Sequence, residues 1–175
     1  MDDIAGAAGY TKRSLYLYFK DKEEMLLAVV LRGQRIFKTV LSRSLEECGP
    51  DVSRVLALGK AFYKFSIDHP DFFSLIMIYE SRLHTYYVPE GFINDGSCRA
   101  LCQVISGEYG NLVIEAIQDD MDRNRLTTHL DARQLMLILW GQVFGVMQVI
   151  LMRKQMFQDA YGITHEELFG EFLRM

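Results

Sequence analysis

An all-α fold is predicted from three observations. A polar cap followed three residues later by Glu or Gln recurs ahead of apolar runs, at Asp21/Glu24, Asp131/Gln134 and Thr164/Glu167. Each such pair has the form of a capping box, which satisfies free N–H groups at a helix start. Apolar residues then recur at helical spacing, and no stretch shows strand alternation. Only 3 prolines interrupt 175 residues, of which 50% are hydrophobic and 12% aromatic. That is enough apolar material to bury a core, and it excludes a disordered chain.

In chain order, Ile4 to Ala8 form a short helix of small residues closed by Gly9, and Thr11 opens a basic, aromatic helix ending near Phe19. Asp21 opens a long amphipathic helix to about Glu47, with Leu26, Val29, Val30, Phe37, Val40 and Leu41 expected on one face. Cys48-Gly49-Pro50 stops it, because Gly closes helices and Pro cannot continue them. A helix from about Asp51 to Asp68 follows, and Pro70 begins another to about Tyr87. Val88 to Gly96, with Pro89, Gly91, Asn94 and Asp95, reads as a loop. The next helix runs to about Arg125, with Gly107 and Gly110 as points where it could kink or divide. Asp131 opens a strongly apolar helix to about Lys154, and Thr164 opens the last. No repeat or low-complexity tract is present.

No apolar run is expected to serve as the roughly 18-residue span a membrane requires. The nearest, Leu135 to Met152, is interrupted by Gln142, Gln148 and two glycines. Met1 is followed by Asp2 and Asp3, unlike a signal peptide. Cysteines at 48, 98 and 102 make no disulfide framework and suit a reducing compartment. A cytoplasmic location is expected. The net charge of −4 is unevenly spread. Residues 11–43 carry eight Lys or Arg against three acids, while residues 48–175 carry eleven against sixteen. A basic N-terminal footprint on an acidic body permits phosphate attraction at one end only.

That basic end contains the most specific pattern in the chain. Two helices joined by a tight Gly turn form a helix-turn-helix, whose second helix enters the DNA major groove. Ala5, Ala7 and Ala8 would let the helices pack closely, and Gly9 can take the positive φ of the turn. The contiguous elements IAxxAG, a Thr opening the next helix, SLYxYF and KDKEEML, over Ile4 to Leu26, closely resemble the DNA-binding region of TetR-type (TetR/AcrR) transcriptional regulators. The helix order resembles that family's whole architecture: a DNA-binding head, a connecting helix (together 1–47), and a ligand-binding and dimerisation body (48–175). Phe65 to Phe73 adds a loose match in the body. Members usually carry a further helix before the IAxxAG segment, and this sequence begins past it: either the start is mis-assigned or trimmed, or the helix is lacking, in which case apolar faces of the head are expected to lie uncovered.

The resemblance implies DNA-contacting roles position by position. Lys12, Arg13 and Ser14 occupy the exposed first turn of the reading helix, and Arg13 could pair bidentately with guanine O6 and N7. Tyr16 and Tyr18 match positions that bond backbone phosphates, and Lys22 matches a phosphate-contacting lysine at a helix start. Thr11 is the helix cap with a possible phosphate contact, while Leu15 and Phe19 belong to the head core. The competing reading is a solvated basic helix with core tyrosines.

In the body, the aromatic load suggests an apolar effector cavity with a few polar tips. The candidates are Phe62, Phe65, Phe73, Met77, Tyr86, Cys102, Trp140 and Phe144, each of which could equally be ordinary core. Gly141 and Gly145 lie four apart in an apolar helix, and each costs about 1 kcal/mol relative to Ala, so a close helix approach is expected there. The resemblance places that approach in a homodimer interface, with intrachain packing as the alternative. Cys98 and Cys102 read as small buried hydrophobes, pocket lining, or a metal or redox site. His69, His84, His129 and His165 read as surface or capping residues. Glu115, Asp119, Asp120 and Asp122 read as a solvated helix face.

The function these expectations define is a DNA-binding transcriptional regulator, a repressor released from a palindromic operator by a small apolar effector. No cofactor, metal or catalytic constellation is called for. The alternative is a dimeric ligand-binding or protein-interaction module without DNA-binding activity.

Overall fold

The structure is a computed structural model that describes residues 1–89 and 96–174. Gly91, Asn94 and Asp95 of the expected loop lie outside the described residues. The described elements are helices α1 (Asp2–Ala8), α2 (Lys12–Tyr18), α3 (Lys22–Glu46), α4 (Arg54–Asp68), α5 (Pro70–Ser81), α6 (Leu83–Tyr86), α7 (Cys98–Asp122) and α8 (Ala132–Arg153). A 3₁₀ turn (Lys154–Met156), α9 (Phe157–Tyr161) and α10 (His165–Phe172) follow. No strand occurs among the described residues.

Helix boundaries follow the cap chemistry. Gly9 closes α1 at φ 70°, while the Tyr10 N–H reaches back to the Ala5 carbonyl at 2.9 Å. At α3 the Glu24 N–H bonds the Asp21 carboxylate at 2.8 Å, but the Glu24 side chain takes the Lys20 N–H instead of Asp21's. The Asp131/Gln134 pair is fully reciprocal at 2.8 and 3.2 Å, and so is Thr164/Glu167 at 3.1 and 2.7 Å. Gly107 and Gly110 do not divide α7, which runs unbroken from Cys98 to Asp122. A Cβ at either position would meet nothing within 4 Å.

Two boundaries differ from the sequence expectation. Helix α4 begins at Arg54, because the Ser53 hydroxyl accepts the Leu56 N–H at 3.1 Å and caps it there. The helix expected from Pro70 to Tyr87 breaks at Arg82, with φ −114° and ψ 17°. Just before the break, the Ser81 hydroxyl bonds the Ile78 carbonyl at 2.8 Å, a local bond that competes with the helical ladder.

The described residues form two compact units, one of residues 1–40 and 65–109, the other of 41–64 and 110–175. In the first, Leu27, Val30 and Leu31 of α3 form a core with Tyr79, Tyr86 and Cys102. The Tyr79 and Tyr86 rings stack at 5.5 Å. Phe37 packs on Phe65 at 5.0 Å and edge-on to Tyr109 at 5.3 Å. A Cβ on Gly33 would lie 2.9 Å from the Phe72 ring, so glycine permits this close approach of α5 to α3. Of the face expected on α3, Val30, Phe37 and Leu41 are buried, Leu26 and Val40 are half-buried and Val29 is exposed; Leu27, Leu31 and Gln34 are buried as well. The polar Gln34 at the centre of this buried stripe hides it from a hydrophobicity pattern.

In the second unit, Tyr63 stacks on Phe169 at 4.5 Å, and its hydroxyl meets His165 Nδ1 at 2.7 Å. A Cβ on Gly59 would collide with Leu173, so α4 and the chain after α10 touch closely. Asp120 overturns the solvated-face expectation. It is fully buried, accepts from the Ser53 hydroxyl at 2.6 Å, and takes the Arg54 and Val55 N–H groups at 3.1 and 3.0 Å. Burial pushes its carboxyl up, but the bonds from Ser53, Val55, Arg54 and Arg125 together hold it below the usual carboxylate range. Asp120 thus caps α4 from another helix.

Helix α8 is, by length and composition, long and apolar enough to cross a membrane, which the sequence reading did not expect. Gln142, Gln148 and the glycines break its pattern without adding charge. Leu137, Ile138, Val149, Leu151 and Met152 all stand exposed on it, whereas Met147 and Ile150 are buried.

Candidate nucleic-acid interface

The head is built around one buried contact surface, with Ala5 from α1 and Leu15 from α2. Ala7 and Ala8 do not share it; both are exposed, because a seven-residue helix turns only one narrow stripe inward. Phe19 is half-buried at the C-cap of α2. Thr11 is in extended backbone at φ −87°, and its hydroxyl accepts the Ser14 N–H at 3.1 Å. The Thr11 and Ser14 hydroxyls also bond each other at 2.8 Å.

That cap turns the first turn of α2 outward. Lys12 and Arg13 are exposed, as are Tyr16 and Tyr18, and Leu17 between them is 78% exposed. Lys12 forms an ion pair with Asp2 at 2.8 Å, and that hydrogen bond raises the lysine and lowers the carboxyl. Both groups are open to solvent, so the pair is only a weak tie on Lys12. Lys22 stands exposed at the first position of α3. Glu23 is paired with Arg99, and Glu24 is engaged at the cap, so neither acid ties up Lys22 through a described bond.

The body candidates divide between the units. Phe65, Phe73, Met77, Tyr86 and Cys102 are buried in the first. In the second, Phe62 meets Trp140 edge-on at 6.2 Å, and Phe144 lies 6.4 Å from Trp140. Gly141 and Gly145 are exposed, and their Cβ positions meet nothing within 4 Å. Cys102 donates to the Leu27 carbonyl at 3.4 Å, and burial pushes its thiol up to about 12, which suppresses the reactive thiolate. His69 packs its ring against Phe65 at 5.2 Å.

Sequence reasoning missed a polar cluster in the first unit. Gln34 donates to Ser106 at 2.9 Å, Ser106 and Tyr109 share a hydroxyl contact at 2.9 Å, and Tyr109 donates to Glu80 at 2.6 Å. Burial raises the Glu80 carboxyl, while the bonds from Tyr109 and Ser106 partly oppose it. Gln34 at the centre of an apolar stripe was the available signal.

Residues 1–29 match the family of bacterial regulatory proteins, tetR family. No curated protein matches the chain. Among solved structures, a protein of unknown function from Rhodococcus sp. RHA1 aligns at 16% identity and a TM-score of 0.69, over 98% of this chain and 79% of that one. AibR in complex with isovaleryl coenzyme A and operator DNA aligns at 19% identity and a TM-score of 0.71, over 98% of this chain and 83% of that one. Apo AibR gives a TM-score of 0.67 at 19% identity, with the same coverage. These likenesses show the fold. The N-terminal helices carry the helix-turn-helix segment of that family, and the all-helical fold of the whole chain is the one these solved structures share.

Proposed function

We propose that the chain is a homodimeric repressor that binds a palindromic operator and leaves it when a small, largely apolar effector occupies the body. The observation that carries this is the Thr11-capped α2, which exposes Lys12, Arg13, Tyr16 and Tyr18 within the segment matched by the tetR family. Arg13 is assigned to base edges, with Lys12 beside it. Tyr16, Tyr18 and Lys22 are assigned to the phosphate backbone. Residues 1–47 then act as head and connector, and 48–175 as the sensing and pairing body. Pairing is assigned to α8, whose apolar residues and open glycines offer a second copy a flat surface. AibR, which shares the fold, was solved with a coenzyme A thioester and operator DNA, which supports a regulator of this design.

The mechanism is a two-state equilibrium between DNA-binding and released head spacings. An effector shifts it only by its difference in affinity for the two states. Selection of bound sequences from a random DNA pool tests the reading. An enriched inverted repeat is expected; an unenriched pool from a folded dimer would favour the ligand-binding or interaction module instead.

A further inference from the structure

The side chains that α2 directs away from the head follow from the one it buries, Leu15. At about 100° per residue, Arg13 and Leu17 each stand about 160° from Leu15 and only about 40° from each other. Tyr16 stands about 100° from Leu15, and Lys12 and Tyr18 about 60°. The face opposite the core therefore belongs to Arg13 in the first turn and Leu17 in the second.

Leu17 is 78% exposed, more than any other large apolar side chain among the described residues. A single exposed leucine is ordinary on a protein surface. This one stands one turn beyond Arg13, between the exposed Tyr16 and Tyr18, within the segment matched by the tetR family. Its chemistry narrows what it can meet there. Leucine has no charge, donor or acceptor, so it adds nothing to phosphate binding and cannot bond the polar edges of guanine, adenine or cytosine. The apolar group that the four standard bases offer in the major groove is the C5-methyl of thymine.

We infer that Leu17 is a specificity-determining residue that reads a thymine methyl group in the operator half-site, beside the base assigned to Arg13. The inference rests on the operator-binding reading above. Four residues advance about 6 Å along α2, against about 3.4 Å per base pair, so the thymine lies within about two base pairs of the guanine assigned to Arg13. Contact removes both the leucine and the methyl from water, and that gain disappears when the methyl is absent.

The test starts from the operator that the full chain selects from a random DNA pool. Each thymine of one half-site is replaced in turn by uracil, which pairs identically but lacks the C5-methyl. Affinity is then measured for the unaltered chain and for Leu17→Ala. Uracil at one position, within about two base pairs of the one that Arg13→Ala relaxes, is expected to weaken binding of the unaltered chain about three- to tenfold. Leu17→Ala is expected to bind the thymine and uracil operators equally at that position while keeping the guanine preference assigned to Arg13. The variant keeps its fold, because Leu17 is exposed and Ala is the better helix former. An effect of uracil on DNA shape would persist in Leu17→Ala, so the pair of measurements isolates the methyl contact. Indifference of the unaltered chain to uracil at every position, or an undiminished uracil effect in Leu17→Ala, would overturn the inference and leave operator binding intact. A folded chain that selects no operator would overturn the inference and the operator-binding reading together.

Discussion

The roles proposed for Arg13 and Lys22, base reading and backbone anchoring, can be separated at the level of single side chains. Arg13 projects from the first turn of α2, where a helix lying in the major groove meets base edges, so Arg13→Ala should relax sequence preference by about 1–3 kcal/mol at one base pair. Lys22 stands at a helix start, where the N-terminal N–H groups also favour phosphate. Lys22→Ala should weaken binding to all sequences and flatten its salt dependence. Operator titrations at several salt concentrations check both, and unchanged affinity for both variants would refute the assignment. Asp120 belongs to this scale too. Asp120→Ala would remove the acceptor of the Ser53 hydroxyl and of two part-buried N–H groups at the start of α4, at a cost of about 2 kcal/mol in urea unfolding. Its folded pKa is depressed, so its stabilisation is present above the unfolded value of about 3.9 and is lost as pH falls through the folded value. Asp120→Asn should accordingly flatten the loss of stability below about pH 4; an unaltered acid limb would show that the carboxylate is not favoured by the fold.

At the scale of elements, α8 is the helix whose surroundings do not match its composition. It is apolar over most of its length, yet Leu137, Ile138 and Val149 are exposed, and Gly141 and Gly145 face open space. Among the described residues nothing packs against those two positions, whereas a facing helix would explain their lack of side chains. Gly141→Leu combined with Gly145→Leu should shift the protein toward monomer in sedimentation, because bulky side chains hold the facing helices apart. Folding of the protomer should survive, since each added Cβ meets open space. An intact dimer of the double variant would remove the pairing role from this face.

For the whole molecule, the relevant quantity is the coupling between effector and operator. A ligand that binds only the released state, present at about a hundred times its dissociation constant, disfavours the DNA-bound state by about 2.7 kcal/mol, roughly a hundredfold in operator affinity. Trp140 is the chain's single tryptophan and lies against Phe62 and Phe144, so its emission reports on that part of the second unit. Operator release measured alongside Trp140 emission, over fatty acids, aromatic compounds and hydrophobic cations, is expected to identify ligands that act on both. A ligand that binds tightly but leaves operator affinity unchanged would sink the coupling and spare the binding site.

Local chemistry alone determined the helix order and the capped starts, because a cap is decided by a residue and its neighbours within one turn. Thr11, Asp131/Gln134 and Thr164/Glu167 all bond as their spacing predicts. The Gly9 turn and the inward Leu15 were equally legible. What only the tertiary structure decided involves partners distant in sequence. Asp120 looked solvated because its partners lie at Ser53 to Val55, and the buried Gln34 finds its partner at Ser106, 72 residues along the chain. The burial of Leu27 and Leu31 on α3 belongs to the same class. A buried polar group is tolerated only where remote partners satisfy it, and periodicity along one helix carries no record of those partners.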